Sequence, residues 1–142
     1  MTKFMHYSFD IERGNFTDAG HASASVKRTL KQLNVEPASI KRIVVALYEA
    51  EINAVAHAYG GKIDVEIDPE KIVMIVADEG PGIPNVDLAM TEGWSTASPK
   101  VREMGFGAGM GLPNIKKNTD ELKIDTKIGV GTTLTMTVYL NA

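Results

Sequence analysis

The sequence predicts an α+β protein built as a two-layer sandwich, with helices packed on one face of a mostly antiparallel, mixed sheet. Three observations support this prediction. Two amphipathic helical segments lie in the N-terminal half, strand-like segments occur both before and after them, and no shift in composition separates a second unit. The 142 residues therefore predict a single domain over 1–142.

The first two predicted elements are a strand and a helix. Residues 3–11 alternate apolar and polar side chains, which is typical of a half-buried strand. Residues 17–33 carry an apolar stripe at helical spacing, and Thr17 or Asp18 is suited to cap the start of that helix. The apolar positions are Met5, Tyr7, Phe9 and Ile11 in the strand and Ala22, Val26, Leu30 and Leu33 in the helix.

A second helix and a β-hairpin follow. Pro37 suits the first turn of a helix, where a missing N–H does no harm, and the helix runs to about His57. The glycine pair at 60–61 is predicted to end it. Residues 62–67 alternate like a strand, and residues 72–77 form the continuous apolar run expected of a central strand. The segment between the two strands has the composition of a turn.

The C-terminal part combines a long irregular segment with one helix and two strands. Residues 78–111 are rich in Gly, Pro, Ser and Thr, and so long an irregular stretch in a compact domain is usually functional. Residues 112–118 are predicted to be helical. Strands are predicted at 121–126 and 132–140, joined by a turn at 129–131.

Composition excludes several classes of function. Fifteen Lys and Arg oppose eighteen Asp and Glu, which argues against nucleic-acid binding because such proteins usually carry a basic surplus. No apolar run is long enough for a membrane-spanning helix, and the first residues do not form a secretory signal. The absence of cysteine excludes disulfides and cysteine-bound zinc and makes the cytoplasm the simplest compartment.

The first candidate site lies on the second helix, where Glu49 and Asn53 are four residues apart. Residues at that spacing share a helix face. The Asn53 side-chain oxygen is a neutral hard ligand suited to Mg²⁺, and Glu49 could orient or deprotonate a hydroxyl or a water. The alternative is a polar stripe on a solvated helix face.

Two further candidates are rich in glycine. Asp78 directly follows the apolar strand and could accept a hydrogen bond from an exocyclic amine such as that of adenine, while Gly80 and Gly82 would let the backbone lie against a flat ring. Alternating glycines at 105–111 lead into a helix, where N–H groups favour phosphates. The alternatives are an ordinary strand-to-loop turn and a flexible hinge. The P-loop and Rossmann phosphate motifs are absent from the sequence.

Together these segments resemble a known set of motifs. In order, the sequences E-A-E-I-N, D-E-G-P-G-I, G-F-G-A-G-M-G and the late G-T-T are similar to the four ATP-site motifs of the GHKL (Bergerat-fold) superfamily. The resemblance covers residues 9–140. Each motif is weak alone, but four in this order and on these elements are specific.

The resemblance implies roles for individual residues. Asn53 would coordinate the Mg²⁺ that bridges the ATP phosphates, and Glu49 would be the general base. Asp78 would hydrogen-bond the adenine amino group with support from Thr133. An ATP lid would span about 86–108, and its closure would exclude water. The remaining nucleotide-binding residues implied by the motifs are Gly80, Gly82, Ile83, Gly105, Gly107, Gly109, Met110 and Gly111.

Within the superfamily, the chain is most similar to the stand-alone kinases of bacterial partner-switching systems, the anti-sigma factors and switch kinases. That similarity implies a serine/threonine kinase that phosphorylates a small STAS-type antagonist or regulator protein, and it leaves direct binding to a sigma factor open. The glycine motif resembles the switch-kinase branch better than the anti-sigma branch. Dimers occur among the anti-sigma relatives, so the resemblance leaves a homodimer open.

Two other functions remain open from the sequence. One is a binding module in which ATP acts only as a conformational ligand, and the other is an ATPase without a protein substrate. Glu51 lies about 200° around the helix from Glu49. It is therefore predicted to be on the surface or at an interface.

Overall fold

The computed structural model describes residues 5–12, 20–57, 60–80 and 111–140. Over these residues the strands form one five-stranded sheet in the order β1-β2-β3-β5-β4. All four pairings between the described strands are antiparallel, so the α+β prediction is confirmed and the sheet contains no parallel pair in these ranges. The elements are β1 (Met5–Glu12), α1 (His21–Gln32), α2 (Pro37–His57), β2 (Gly60–Ile67), β3 (Lys71–Glu79), α3 (Gly111–Lys117), β4 (Glu121–Lys127) and β5 (Gly131–Tyr139).

One face of the sheet forms the core with the helices. Side chains alternate along β3, so that Ile72, Met74 and Val76 are buried while Val73 and Ile75 are partly exposed on the other face. Helix α2 packs across β1, β2, β3 and β5. The largest fully buried side chains in the described part of the chain are Leu30, Ile43, Leu47, Ile63, Ile72, Met74, Ile115 and Met136.

Helix α2 is the centre of the helical layer. Both α1 and α3 pack against it. Ala46, Leu47 and Ala50 of α2 are completely or almost completely buried, and two of these three side chains are small enough to allow close approach of the neighbouring elements. This arrangement lets α2 present polar side chains to two different helices, which determines the geometry of the site below.

Three boundaries differ from the sequence predictions. Helix α1 begins at His21, not near Thr17. Gly20 comes directly before it with a φ of 93°, in the left-handed region that favours glycine, and it supplies no side chain to cap the helix. Leu33 was expected on the buried stripe but is 45% exposed, since the helix ends at Gln32. The glycine pair 60–61 starts strand β2 instead of ending α2.

None of the three helices in the described ranges is both long enough and apolar enough to cross a bilayer.

Asp120 links the end of the sheet to the helical layer. Its carboxylate accepts a hydrogen bond from the Tyr139 N–H at 2.8 Å and one from the Arg42 guanidinium at 3.0 Å. Both hydrogen bonds hold the pKa of Asp120 below its ordinary value, and the one from the Tyr139 N–H has the larger effect. A lowered pKa means that the stabilisation is present above the pKa of the unfolded state and is lost as the pH falls through the folded pKa.

We therefore expect Asp120→Ala to lower the free energy of unfolding by about 1 kcal/mol at pH 7, since the side chain is partly exposed. The difference from wild type should shrink below pH 4, when the carboxylate is protonated in the unfolded state. Urea denaturation at pH 7 and pH 3 measures both values. Asp125→Ala is the matched control, because Asp125 is 67% exposed and its Lys123 partner lies 3.6 Å away. An equal loss in both variants would contradict the assignment.

Candidate nucleotide-binding and catalytic site

Glu49 and Asn53 share one face of α2, as the four-residue spacing predicts. Both side chains are half-buried. The face is turned toward α3, where the Asn114 Nδ2 lies 3.5 Å from the Glu49 Oε1 and donates a long hydrogen bond to it. Glu49 therefore points into the contact between two helices and not into open solvent, which contradicts the alternative of a purely solvated stripe.

Helix α3 brings the end of the glycine-rich segment to the same place. Gly111 is its first residue and Asn114 lies on its first turn. Because α3 packs on α2, the backbone that leaves the glycine run lies beside the helix that carries Glu49 and Asn53. Asn114 was not predicted from the sequence. It lies three residues after the last glycine of the run, on the turn that meets α2, and that position could have indicated it as a site residue.

Asp78 lies near the end of β3 on the face that carries Ile72, Met74 and Val76, so its carboxylate is directed toward the helical layer. Its Oδ1 accepts a hydrogen bond from the Thr132 N–H at 3.0 Å. Burial raises the pKa of the Asp78 carboxyl above its ordinary value, and the Thr132 hydrogen bond opposes that increase. A partly desolvated carboxylate of this kind is a strong acceptor for a ligand N–H.

The pairing of β3 with β5 decides which threonine accompanies Asp78. Asp78 lies opposite Thr132, whereas Thr133 lies opposite Ala77. Residues directly opposite each other in a sheet share a face, so Thr132 and not Thr133 is on the side of the carboxylate. The sheet register therefore places Thr133 on the opposite face from the Asp78 carboxylate, where it does not give the predicted support. Thr132 lies two residues before the buried Leu134 and so shares its face of the strand. This alternation is already visible in the sequence and indicates Thr132 instead.

Glycines surround the end of β3 because side chains would not fit there. A Cβ built on Gly131 would lie 2.0 Å from the Asp78 carbonyl oxygen, and one on Gly61 would lie 2.5 Å from the Ala77 carbonyl oxygen. Gly80 is buried, and its N–H donates to the Val130 carbonyl at 3.4 Å. The backbone around Asp78 is thus closely packed on both neighbouring strands, which fixes the position of the carboxylate.

Glu51 corrects a sequence expectation. It is only 6% exposed, and its carboxylate accepts hydrogen bonds from the N–H groups of Ala22 and Ser23 at 3.3 and 3.4 Å and from the Ser23 hydroxyl at 2.9 Å. These N–H groups belong to the first turn of α1, where helices leave donors unpaired and where negative charge is favoured. Glu51 is therefore a cap supplied by α2, not a surface residue.

The donor set fits a magnesium ion held mainly by a nucleotide. Mg²⁺ takes oxygen ligands and usually combines one or two protein side chains with phosphate oxygens and waters. Asn53 offers an amide oxygen beside the Glu49 carboxylate on the same helix face. No cluster of three or more His, Asp or Glu that could hold a metal occurs among the described residues.

Other predicted site residues lie outside the described ranges. They include the predicted lid at 86–108. The individual positions are Gly82, Ile83, Gly105, Gly107, Gly109 and Met110.

Comparison with known proteins identifies the family of this arrangement. The family model described as "Histidine kinase-like ATPase domain" matches residues 15–138, which is most of the chain. The chain belongs to this family. The match includes the helix with Glu49 and Asn53, the β3 end with Asp78 and the strand with Thr132, so the residues brought together above lie within the ATPase domain.

Two curated relatives show which members of the histidine kinase-like ATPase family are similar. The serine/threonine-protein kinase RsbT of Bacillus subtilis (strain 168) is 30% identical over 75% of this chain and 77% of its own length. The anti-sigma F factor of Thermoanaerobacter sp. (strain X514) is 33% identical over 99% of this chain and 96% of its own. The resemblance to partner-switching regulators is therefore confirmed.

A solved structure shows the same fold. The crystal structure of the RsbU and RsbW domains of Rv1364c from Mycobacterium tuberculosis matches 97% of this chain with a TM-score of 0.58 at 20% identity. The chain spans 32% of that longer protein.

Proposed function

We propose that this histidine kinase-like ATPase domain is a Mg·ATP-dependent serine/threonine protein kinase of a bacterial partner-switching system, acting in the cytoplasm. Its phosphoacceptor is a hydroxyl group on a small STAS-type antagonist or regulator protein, and a sigma factor is a further partner. The observation that carries the proposal is that Glu49 and Asn53 share one face of α2 and that Glu49 accepts a hydrogen bond from Asn114, on the helix that follows the glycine run.

Each described residue has a separate task in this proposal. The Asp78 carboxylate accepts a hydrogen bond from the adenine amino group, and Thr132 supports it from the neighbouring strand. Asn53 contributes one oxygen ligand to the Mg²⁺, which when bound neutralises charge on the phosphates. Glu49 takes the proton from the attacking hydroxyl, and the Asn114 amide holds the carboxylate in place.

A second candidate function is a binding module in which ATP controls partner binding without phosphoryl transfer. The specific observation in its favour is that the relative aligned over 99% of this chain is named an anti-sigma factor, not a kinase. The two functions share the nucleotide site and differ in whether Glu49 is needed.

One experiment separates these possibilities. Mg·ATP is titrated by calorimetry into wild type and Asp78→Asn, and wild type is then incubated with γ-labelled ATP and STAS proteins encoded by neighbouring genes. Binding by wild type that falls about 10- to 100-fold in the variant, followed by labelling of a serine or threonine, supports the kinase. Nucleotide-dependent partner binding without labelling supports the module. No binding of Mg·ATP by wild type would refute both functions.

The raised pKa of Asp78 predicts a pH dependence of ATP binding. Only the ionised carboxylate accepts a hydrogen bond without competition from its own proton, so affinity for Mg·ATP should fall as the pH is lowered from 7 through the raised pKa. In the free protein the folded state binds this proton more tightly than the unfolded state. The Asp78 contribution to stability therefore decreases as the pH rises through the folded pKa.

The measurement is a set of calorimetric titrations with wild type and Asp78→Asn from pH 7 down toward the ordinary Asp pKa of 3.8. We expect the affinity of wild type to fall toward that of the variant, which keeps every other titrating group, including the ATP phosphates. A parallel loss of affinity in both proteins would assign the pH dependence to another group.

A further inference from the structure

The outer surface of helix α2 carries a short stripe of side chains that is open to solvent. Lys41 and Tyr48 are exposed, Tyr48 by 39%, and Val45 between them is half-buried. The three residues are four and three positions apart and therefore lie on one face of the helix. They are named the α2 stripe below. An exposed tyrosine beside a valine forms an apolar contact area of the kind that is enriched at the centre of protein interfaces.

The α2 stripe lies between the two helices that flank α2. The Tyr48 ring lies against the start of α1, because a Cβ built on Gly20 would be 3.1 Å from the Tyr48 Cε1 atom. On the other side of α2, Glu49 contacts Asn114 of α3. The contact with Gly20 holds the ring in place while part of it remains exposed. Little side-chain entropy is therefore lost when a partner protein packs on the ring.

The α2 stripe adjoins the proposed general base. Val45 lies one turn before Glu49 on the same side of α2, and Tyr48 directly precedes Glu49 in sequence. A hydroxyl that gives its proton to Glu49 must come within about 3 Å of the carboxylate. The protein segment that carries this hydroxyl therefore has to pass over the surface next to Glu49. Val45 and Tyr48 are the partly exposed apolar side chains of α2 at that place.

The helical layer beside the α2 stripe is cationic. Lys41 belongs to the stripe, and α1 exposes Lys27, Arg28 and Lys31 but contains no acidic residue. The ion pairs between described residues involve other side chains, so these four cations are not neutralised within the part of the chain that the structure describes. The whole chain has a net charge of −3, which makes this cationic region a local feature. It would attract a partner protein that carries carboxylates.

We propose that the α2 stripe is the docking surface for the phosphoacceptor protein. An apolar side chain near the acceptor hydroxyl packs on Val45 and the Tyr48 ring, and carboxylates of the same protein face Lys41 and the cations of α1. This inference rests on the proposed function, because it assumes that a protein hydroxyl reaches Glu49. It adds the surface that recognises the acceptor protein and the chemistry that this surface selects, an apolar residue flanked by acidic ones.

The first test measures transfer from γ-labelled ATP to the STAS protein that wild type labels, over a range of acceptor concentrations. We expect the KM for the acceptor protein to rise about tenfold in Tyr48→Ala and about threefold in Val45→Ala, as for side chains near the centre of an interface. The kcat and the affinity for Mg·ATP should stay within about twofold of wild type, because the catalytic residues are unchanged. Tyr139→Ala is the matched control, since Tyr139 is 44% exposed on the far face of the sheet. Its KM should equal that of wild type.

The second test concerns charge. In Lys41→Glu we expect kcat/KM for the acceptor protein to fall about tenfold at about 0.05 M salt, and the loss to shrink at about 0.5 M salt, where exposed charges are screened. Lys41→Arg keeps the charge and should behave as wild type. Because Lys41 is exposed, its variants remain informative even if Tyr48→Ala loosens the packing on Gly20.

Two results would overturn this inference and leave the proposed kinase standing. One is an unchanged KM in Val45→Ala together with an unchanged kcat/KM in Lys41→Glu. The other is a lower kcat with an unchanged KM in the stripe variants, which would assign these residues to support of the catalytic site instead of docking. Wild type that binds Mg·ATP but labels none of the STAS proteins would refute the kinase and this docking surface together.

Discussion

Replacing Glu49 with glutamine is expected to slow phosphoryl transfer to the partner protein by about 100- to 10,000-fold, the usual contribution of a general base. Glutamine keeps the size of the side chain and an oxygen that can accept the Asn114 hydrogen bond, but it cannot take a proton. Affinity for Mg·ATP should change by less than about threefold, because the interaction is needed in the transition state and not for binding.

The measurement combines single-turnover transfer from γ-labelled ATP to the STAS partner with calorimetric titration of Mg·ATP. Glu70→Gln is the control, since Glu70 is exposed in the turn between β2 and β3. Transfer at the wild-type rate by Glu49→Gln would refute the assigned role of the carboxylate and would favour nucleotide-controlled binding. A large loss of ATP affinity would instead assign Glu49 to the binding of the nucleotide or its metal.

Glu51, two residues further along the same helix, is expected to affect stability instead of transfer. Glu51→Ala should lower the free energy of unfolding by about 3 kcal/mol, because it removes a helix cap and leaves buried donors of Ala22 and Ser23 without their acceptor. Glu51→Gln should lose about half as much, since the amide keeps one acceptor oxygen but turns an N–H₂ group toward the remaining donors.

Urea denaturation of the three proteins measures this loss, and hydrogen exchange localises it. We expect the amide protons at the start of α1 to exchange faster in Glu51→Ala, while those in β3 change only with global stability. Lys41→Ala is the control on the same helix, because Lys41 is exposed and its replacement should cost less than about 0.5 kcal/mol. An equally small loss in Glu51→Ala would mean that water replaces the carboxylate at no cost.

The contrast between these two acids shows what helical spacing can and cannot predict. The period of 3.6 residues correctly separated Glu49 from Glu51 around α2. It could not predict that α1 would pack on the second face with its first turn directed at Glu51, because that contact joins residues 28 and 29 positions apart. The cap predicted at Thr17 or Asp18 was wrong for the same reason, because α1 begins at His21 and its first turn is capped from another helix.

The strands were predicted more completely than the site. Alternation in β1 and β2 predicts both the strand and the face that it turns to the core. The continuous apolar run of β3 predicts the strand but not which of its two faces is buried. The order of the strands in the sheet was not predicted, because it depends on which edges meet and not on local pattern. The register puts Thr132, and not the predicted Thr133, on the face of Asp78. Alternation with Leu134 was sufficient to indicate this from the sequence, because residues two apart in a strand share a face.

The sheet order has a kinetic consequence. Strands β2 and β3 form one local hairpin and β4 and β5 another, but Asp78 and Thr132 meet only when β3 pairs with β5 across 54 positions of sequence. Local hairpins close quickly, whereas pairing of distant strands bears a larger loop-closure entropy and forms later. The contact between Asp78 and Thr132, at the proposed base site, is therefore expected among the last native contacts to form. If ATP binds there as proposed, it should slow unfolding without accelerating folding.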